Sequence, residues 1–154
     1  GVIFHLWKDN AGVEHGLIVA LTDQSTSQVW SNVSSTEIGA SGQSSWAGLS
    51  NSNAIVGQAG HTSSAAKLCL DLESNGQSDW YLPGILELKT LYNNYYTVAR
   101  AFSQIPGATQ LTSTYYWSSS EGDSFYSLCC DFGGGLVSLD RKDLPFYVRA
   151  VRAF

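Results

Sequence analysis

A chain of 154 residues and 16.6 kDa fits one domain, and it can bury close to two thirds of its unfolded surface without help from a metal or a disulfide. An apolar share of 44% against 14% charged residues argues against disorder, and a net charge of -5 with only eight Lys and Arg argues against a phosphate-tracking nucleic-acid footprint. The longest aliphatic run, Leu17 to Leu21, is far too short to cross a bilayer, so the chain reads as soluble; the absence of Met, even at the start, predicts a mature or excised piece of a longer protein.

Val2 to Trp7 reads as a strand, Lys8 to Gly12 as a turn and Gly16 to Leu21 as a more buried strand, together a hairpin. From Thr22 to Asn53 the chain is rich in Ser, Thr, Asn and Gly. Trp30 and Trp46 interrupt it, which predicts long ordered loops pinned by aromatic anchors. Ala54, Ile55, Ala65, Ala66, Leu68 and Cys69 suit one helix broken near Gly60 or two short ones, with Thr62 as the cap of the second piece. After a turn at Asn75-Gly76, Ile85, Leu88 and Tyr92 recur at helical spacing behind Pro83, which suits a helix entrance. Strands then follow at 114–118, 125–132, 136–140 and 146–154. The last alternates, with Val148, Ala150 and Arg152 on one side and Arg149, Val151 and Ala153 on the other. Helices in the middle and strands at both ends make a single α+β domain over residues 1–154 whose terminal strands pair.

Catalytic chemistry finds little footing. No GxSxG elbow exists, and His5, His15 and His61 lack the i, i+4 partner of a metal-binding helix, so no catalytic or metal-ligating residue and no cofactor is assigned. Asp71 to Gly76, with Asp79, resembles the start of a calcium loop, but its twelfth position is Leu82 instead of the bidentate Glu; a helix-to-strand turn is the better reading. Glu87 and Lys89 read as a solvated helix face. Of Arg149 and Arg152, one is expected in a structural pair and the other in solvent. Cys129 and Cys130 must point to opposite strand faces, so at most one can bridge to Cys69 and at least one thiol stays unpaired within the domain.

Gly76-Gln77-Ser78-Asp79-Trp80-Tyr81-Leu82-Pro83, then Glu87-Leu88, Leu91-Tyr92-Asn93-Asn94, Tyr116-Trp117-Ser118-Ser119 and the terminal Val148-Arg149-Ala150-Val151-Arg152 together resemble the C-terminal domain of bacterial collagen-like adhesins. The resemblance implies an extracellular ligand-binding domain with a C-type lectin-like fold, carried on a bacterial surface or pilus tip, or on a phage tail fibre. It implies parent fibre or pilus domains as neighbours and a possible homo-trimer. Formylglycine-generating enzymes share the fold; they bind copper through cysteines facing one pocket, whereas Cys129 and Cys130 adjoin on one strand.

Relatives of this kind are targets of diversity-generating retroelements, which randomise template adenines. An AAC codon then becomes any codon ending in C, and none of those encodes Trp, Gln, Glu, Lys or Met. From Gly122 to Phe146 these residues are absent except for Lys142. Phe132, Gly135, Lys142 and Tyr147 match in spacing the fixed positions of such cassettes. Cys129-Cys130 and the Gly133-Gly134-Gly135 run then look like products of randomisation, while Leu128 stands where a large aromatic is frequent.

The expected ligand face is therefore the segment 122–146. Its candidate contacts are the aromatics Phe125, Tyr126 and Phe146 and the apolar Leu136 and Leu144. The polar candidates are Asp123, Asp131, Ser138, Asp140, Arg141 and Asp143, and all but Asp123 and Ser138 among these candidates are expected to be exposed. The expected partner is a protein or glycan on another cell, with no nucleic acid and no membrane insertion.

Overall fold

The computed structural model describes residues 1–154. In chain order it contains β1 (Val2–Lys8), β2 (Glu14–Val19), β3 (Ser25–Gln28), α1 (Gly48–Val56), α2 (Ala65–Leu70), α3 (Ile85–Asn93) and α4 (Tyr95–Phe102). There follow β4 (Tyr115–Glu121), β5 (Tyr126–Asp131), β6 (Val137–Arg141), β7 (Phe146–Val148) and β8 (Val151–Ala153). The architecture is α+β, with the helices in the middle of the chain as expected. No helix is long and apolar enough to cross a membrane.

Two sheets organise these elements. The smaller, in order β1-β2-β8, gathers both ends of the chain, with β2 lying between the first and last strands. The larger runs β3-β7-β4-β5-β6, antiparallel except where β7 meets β4 at Tyr116 and Tyr147. The terminal segment departs from a simple alternating strand. It leaves the larger sheet after Val148 and joins the smaller one at Val151, so Val148, Arg149, Ala150 and Val151 are all buried. A chain passing between two sheets is enclosed on every side, and side-to-side alternation loses its meaning there.

Arg149 sits at that crossing. Its guanidinium donates to Asp23 Oδ1 at 2.7 Å, to the Ala20 carbonyl at 3.0 Å and to the Thr109 carbonyl at 3.1 Å. Arg152, expected to complement it by facing solvent, is paired as well, with Asp79 at 2.6 Å. Both arginines are structural staples.

Strand β4 is buried on both faces, and this separates the core into two parts. Tyr116 and Cys130 face a cluster with Leu88, Leu91, Phe102 and Phe132, while their neighbours Trp117 and Cys129 face another with Trp30, Ile55, Cys69 and Trp80. The adjacent cysteines thus point apart, as alternation requires. All three cysteines are free thiols, so the permitted bridge to Cys69 is not formed. Burial pushes the thiols of Cys129 and Cys130 up to about 12 and about 11, which keeps both protonated and unreactive.

The loops between Val29 and Ala47 are pinned by Trp30, which is fully buried and donates its indole N–H to the Ser118 carbonyl at 2.8 Å. Trp46 is no anchor: 57% of its surface is exposed. Helix α2 is capped by Ser64, whose hydroxyl accepts from the Lys67 amide at 3.0 Å, and Thr62 lies before the cap. Pro83 precedes the N-cap Gly84 of α3. Glu87 also departs from the solvated face assigned to it. It is buried, accepting from the Tyr81 hydroxyl at 2.9 Å and the Gly84 amide at 2.6 Å, and burial holds its carboxyl above the usual range despite those donors. Lys89 reaches back to the Gly135 carbonyl and lies over the Tyr92 ring. The segment 71–79 is a tight turn in which Asn75 and Gly76 take positive φ angles of 51° and 73°. Asp71 is committed to Lys67 and Asp79 to Arg152, so these carboxylates diverge.

Candidate functional site

The serine run after Trp117 builds the floor under the candidate site. Ser118 donates to the Leu128 carbonyl at 2.7 Å, Ser119 accepts from the Asn51 amide group at 3.3 Å, and Ser120 donates to the Ser44 carbonyl at 2.8 Å. Small hydroxyls are suited to a strand with no solvent on either face, because each can reach a backbone group without the volume of a longer polar side chain. The run thereby ties β4 to α1 and to the loops before it.

At the end of β4 stands a fully buried ion pair, Glu121 with Lys142, at 2.7 Å. Each partner is also satisfied elsewhere. The Glu121 carboxylate accepts from the amides of Ile38 and Gly39, both at 2.9 Å. Lys142 donates to the Ser124 carbonyl at 3.1 Å and lies over the Trp30 ring, 4.8 Å from its centre. One internal pair therefore fixes the turn after β4, the start of the turn after β6 and the loop around Ile38.

Within 122–146 the buried positions are Ser127, Cys129, Cys130, Phe132, Gly135 and Lys142. Phe132 is packed between Tyr92 and Tyr116. Gly135 has a φ of 72°, and an added Cβ would collide with the Tyr92 ring, so only glycine fits there. Gly133 and Gly134, by contrast, are exposed and have no positive φ. Positions that the resemblance marked as fixed are thus among those that the packing fixes, with Tyr147 half-buried beside Tyr116; Cys129 and Cys130, read as products of randomisation, are equally enclosed and belong with them.

The outward side chains follow from the β5–β6 register. Tyr126 pairs with Arg141 and Leu128 with Leu139, so Tyr126, Val137, Leu139 and Arg141 share one open face. Ser127, Cys129, Ser138 and Asp140 take the other. There Asp140 accepts from Ser138 at 2.6 Å and from the Cys129 thiol at 3.0 Å, so Asp140 is half-buried instead of exposed, as is Ser138. Asp123 and Asp131 spend their carboxylates on turn amides, at Phe125 and Tyr126 and at Gly133 and Gly134 respectively. Asp131 is half-buried in consequence, another departure from the exposure expected.

Phe146 is half-buried too, lying 4.5 Å from the Trp117 ring and 5.2 Å from Tyr115. Leu136, Phe125, Leu144, Arg141 and Asp143 are exposed as expected, Leu136 most of all at 70%. Sequence reasoning missed Val137 and Leu139, both exposed on β6. The alternation of β6, read against the outward Tyr126, was the signal for them.

Phe125, Tyr126, Arg141 and Asp143 converge with Ser34 and Ser35 around an open cleft of about 370 Å³. The two serines come from a loop more than eighty residues away in sequence, held in place through Glu121 and Lys142. Arg141 and Asp143 form an exposed two-point pair, with Nε and Nη2 donating to the two carboxylate oxygens at 3.0 and 2.5 Å. That pair holds the Asp143 carboxyl below its ordinary value.

A small sheet gathering both chain ends, a larger sheet behind it, central helices and a surface built from the last strands and turns define a C-type lectin-like domain. The chain belongs to the family described as the Lcl C-terminal domain, whose family model matches residues 19–152. It matches no curated protein.

Proposed function

We propose that this domain is an extracellular adhesin module of a bacterial surface or pilus, which binds a protein or glycan on another cell through the outward side chains of 122–146. Membership of the Lcl C-terminal domain family supports an adhesin-like variable domain. The observation that carries the finer reading is the division of labour inside the segment. Ser127, Cys129, Cys130, Phe132, Gly135 and Lys142 are buried, whereas Phe125, Tyr126, Leu136, Val137, Leu139, Arg141 and Leu144 are turned to solvent. Exposed apolar side chains in that number cost solubility and are kept where a partner covers them.

Retroelement diversification is part of the proposal. The single Lys that departs from the codon restriction, Lys142, is a fully buried member of an ion pair, so it belongs with the scaffold and not with the interchangeable positions. Against an oxidase reading stands the placement of Cys129 and Cys130 in separate core clusters, from which two thiolates cannot converge on one copper ion.

Replacing Phe125, Tyr126 and Arg141 together by Ala tests the reading. The expected result is an unchanged melting temperature with binding of the fluorescent domain to a panel of cells reduced at least roughly thirtyfold, as for loss of a hot-spot anchor. Retained binding would refute the assignment of the face, and loss of folding would make these residues core. A neighbouring reverse-transcriptase gene, with a template repeat differing from this gene only at adenines, tests the diversification.

A further inference from the structure

We infer that the Phe125–Tyr126 cleft takes a cationic side chain, arginine or lysine, presented by a protein partner. The inference rests on the binding role proposed above and adds the chemistry of the ligand. The cleft, at about 370 Å³, is open to solvent and large enough for one long side chain. Its aromatic wall is free: Phe125 is 57% and Tyr126 40% exposed, and neither ring stacks on another. An aromatic face attracts a cation through its quadrupole and offers nothing comparable to an anion.

The charges around the cleft choose between ligand classes. Asp143 lines it, and Asp123, on the turn that carries Phe125 and Tyr126, accepts from their amides and has no cationic partner. The two cations of the segment both have a carboxylate partner. Lys142 is buried on Glu121, and Arg141 gives two of its donors to Asp143. A sulfated or phosphorylated ligand would meet Arg141 only beside the carboxylate it already pairs with, on a chain of net charge -5. An incoming guanidinium or ammonium instead shares the Asp143 carboxylate with Arg141, lies against the rings and can donate to the Ser34 and Ser35 hydroxyls.

The experiment is a titration of the isotope-labelled domain with the hexapeptide Gly-Arg-Gly-Arg-Gly-Arg, followed by amide chemical shifts, beside a Gly-Glu hexapeptide and a heparin hexasaccharide. Shifts confined to the arginine peptide and centred on Phe125, Tyr126, Arg141 and Asp143 are expected, weakening with added salt and by roughly tenfold in Asp143→Asn. Unmoved cleft amides, shifts centred elsewhere, equal binding by Asp143→Asn, or cleft shifts produced by heparin would each overturn the inference. Those failures leave the binding role itself standing if the triple alanine variant still loses cell binding, so the two ideas fail separately.

Discussion

Replacing Lys142 by Met removes one charge from the best-enclosed ion pair of the domain while keeping most of the side-chain volume. In the native protein Lys142 and Glu121 both have fully buried side chains, 2.7 Å apart. After the change Glu121 retains only the Ile38 and Gly39 amides as donors, and the Ser124 carbonyl loses its ammonium donor. Breaking a buried pair by deleting one partner costs about 3–5 kcal/mol, since the surviving charge keeps its desolvation penalty. For a domain of this size that corresponds to a fall in melting temperature of about 6–20 °C. Thermal unfolding followed by circular dichroism, together with urea midpoints, measures it. The double variant Glu121→Gln/Lys142→Met should recover a substantial part of the loss, because no charge is left stranded. A single variant within about 1 kcal/mol of the native protein, or a double variant worse than the single, would refute the assignment of this pair as the fastening of the ligand face.

Gly135→Ala should destabilise by about 1–3 kcal/mol in the same assay, as it combines a positive φ with a collision against Tyr92, whereas Gly134→Ala, whose new Cβ meets only the Asp131 carboxylate, should cost less. Leu136→Ser, at a position 70% exposed, should stay within about 0.5 kcal/mol of the native stability. Glu87 binds its proton more tightly in the folded protein than in the unfolded chain, because burial raises its pKa from the ordinary 4.5. Its contribution is therefore fully present below that value and is lost as pH rises through the folded value. The stability deficit of Glu87→Gln relative to the native protein should accordingly shrink from pH 4 to pH 7, and a deficit that grows over this range would contradict the burial account.

The elements legible in the sequence are those whose one buried face repeats at a regular period. The hairpin of β1 and β2, the Ile85, Leu88 and Tyr92 spacing of α3, and strand β6 all belong to this class. Helix α1 began earlier than composition suggested. Its first half, Gly48 to Ser52, has low helix propensity and is held by tertiary bonds instead: Asn51 donates to the Ser44 carbonyl at 2.6 Å, and Ser52 accepts from the Leu82 amide at 3.1 Å. Such partners lie far apart in sequence, and no local pattern encodes them. The same holds for Glu87, whose burial comes from Tyr81 and the start of α1 at Gly48, and for the terminal strand, where a switch between sheets replaced the expected alternation.

For the candidate site, the segment itself was legible through its restricted residue set from Gly122 to Phe146 and the spacing of Phe132, Gly135, Lys142 and Tyr147. Its inner half was not. Ser138 and Asp140 look like the other polar residues around them, yet the register of β6 against β5 turns them toward Cys129. Phe146 looks like an anchor for a ligand and instead covers Trp117. Nothing in the sequence places Ser34 and Ser35 beside Phe125. They arrive there because a loop is fastened to Glu121, and a buried ion pair between residues 121 and 142 becomes visible only with coordinates.

The central claim is that a fixed scaffold carries a patch whose identity the fold leaves free. A library in which each position from 122 to 146 is replaced by all amino acids, displayed on yeast and sorted for protease resistance, measures it position by position. Broad tolerance at Phe125, Tyr126, Leu136, Val137, Leu139, Arg141, Asp143 and Leu144, with narrow tolerance at Ser127, Cys129, Cys130, Phe132, Gly135 and Lys142, is the expected result. Equal intolerance at the two sets would contradict it.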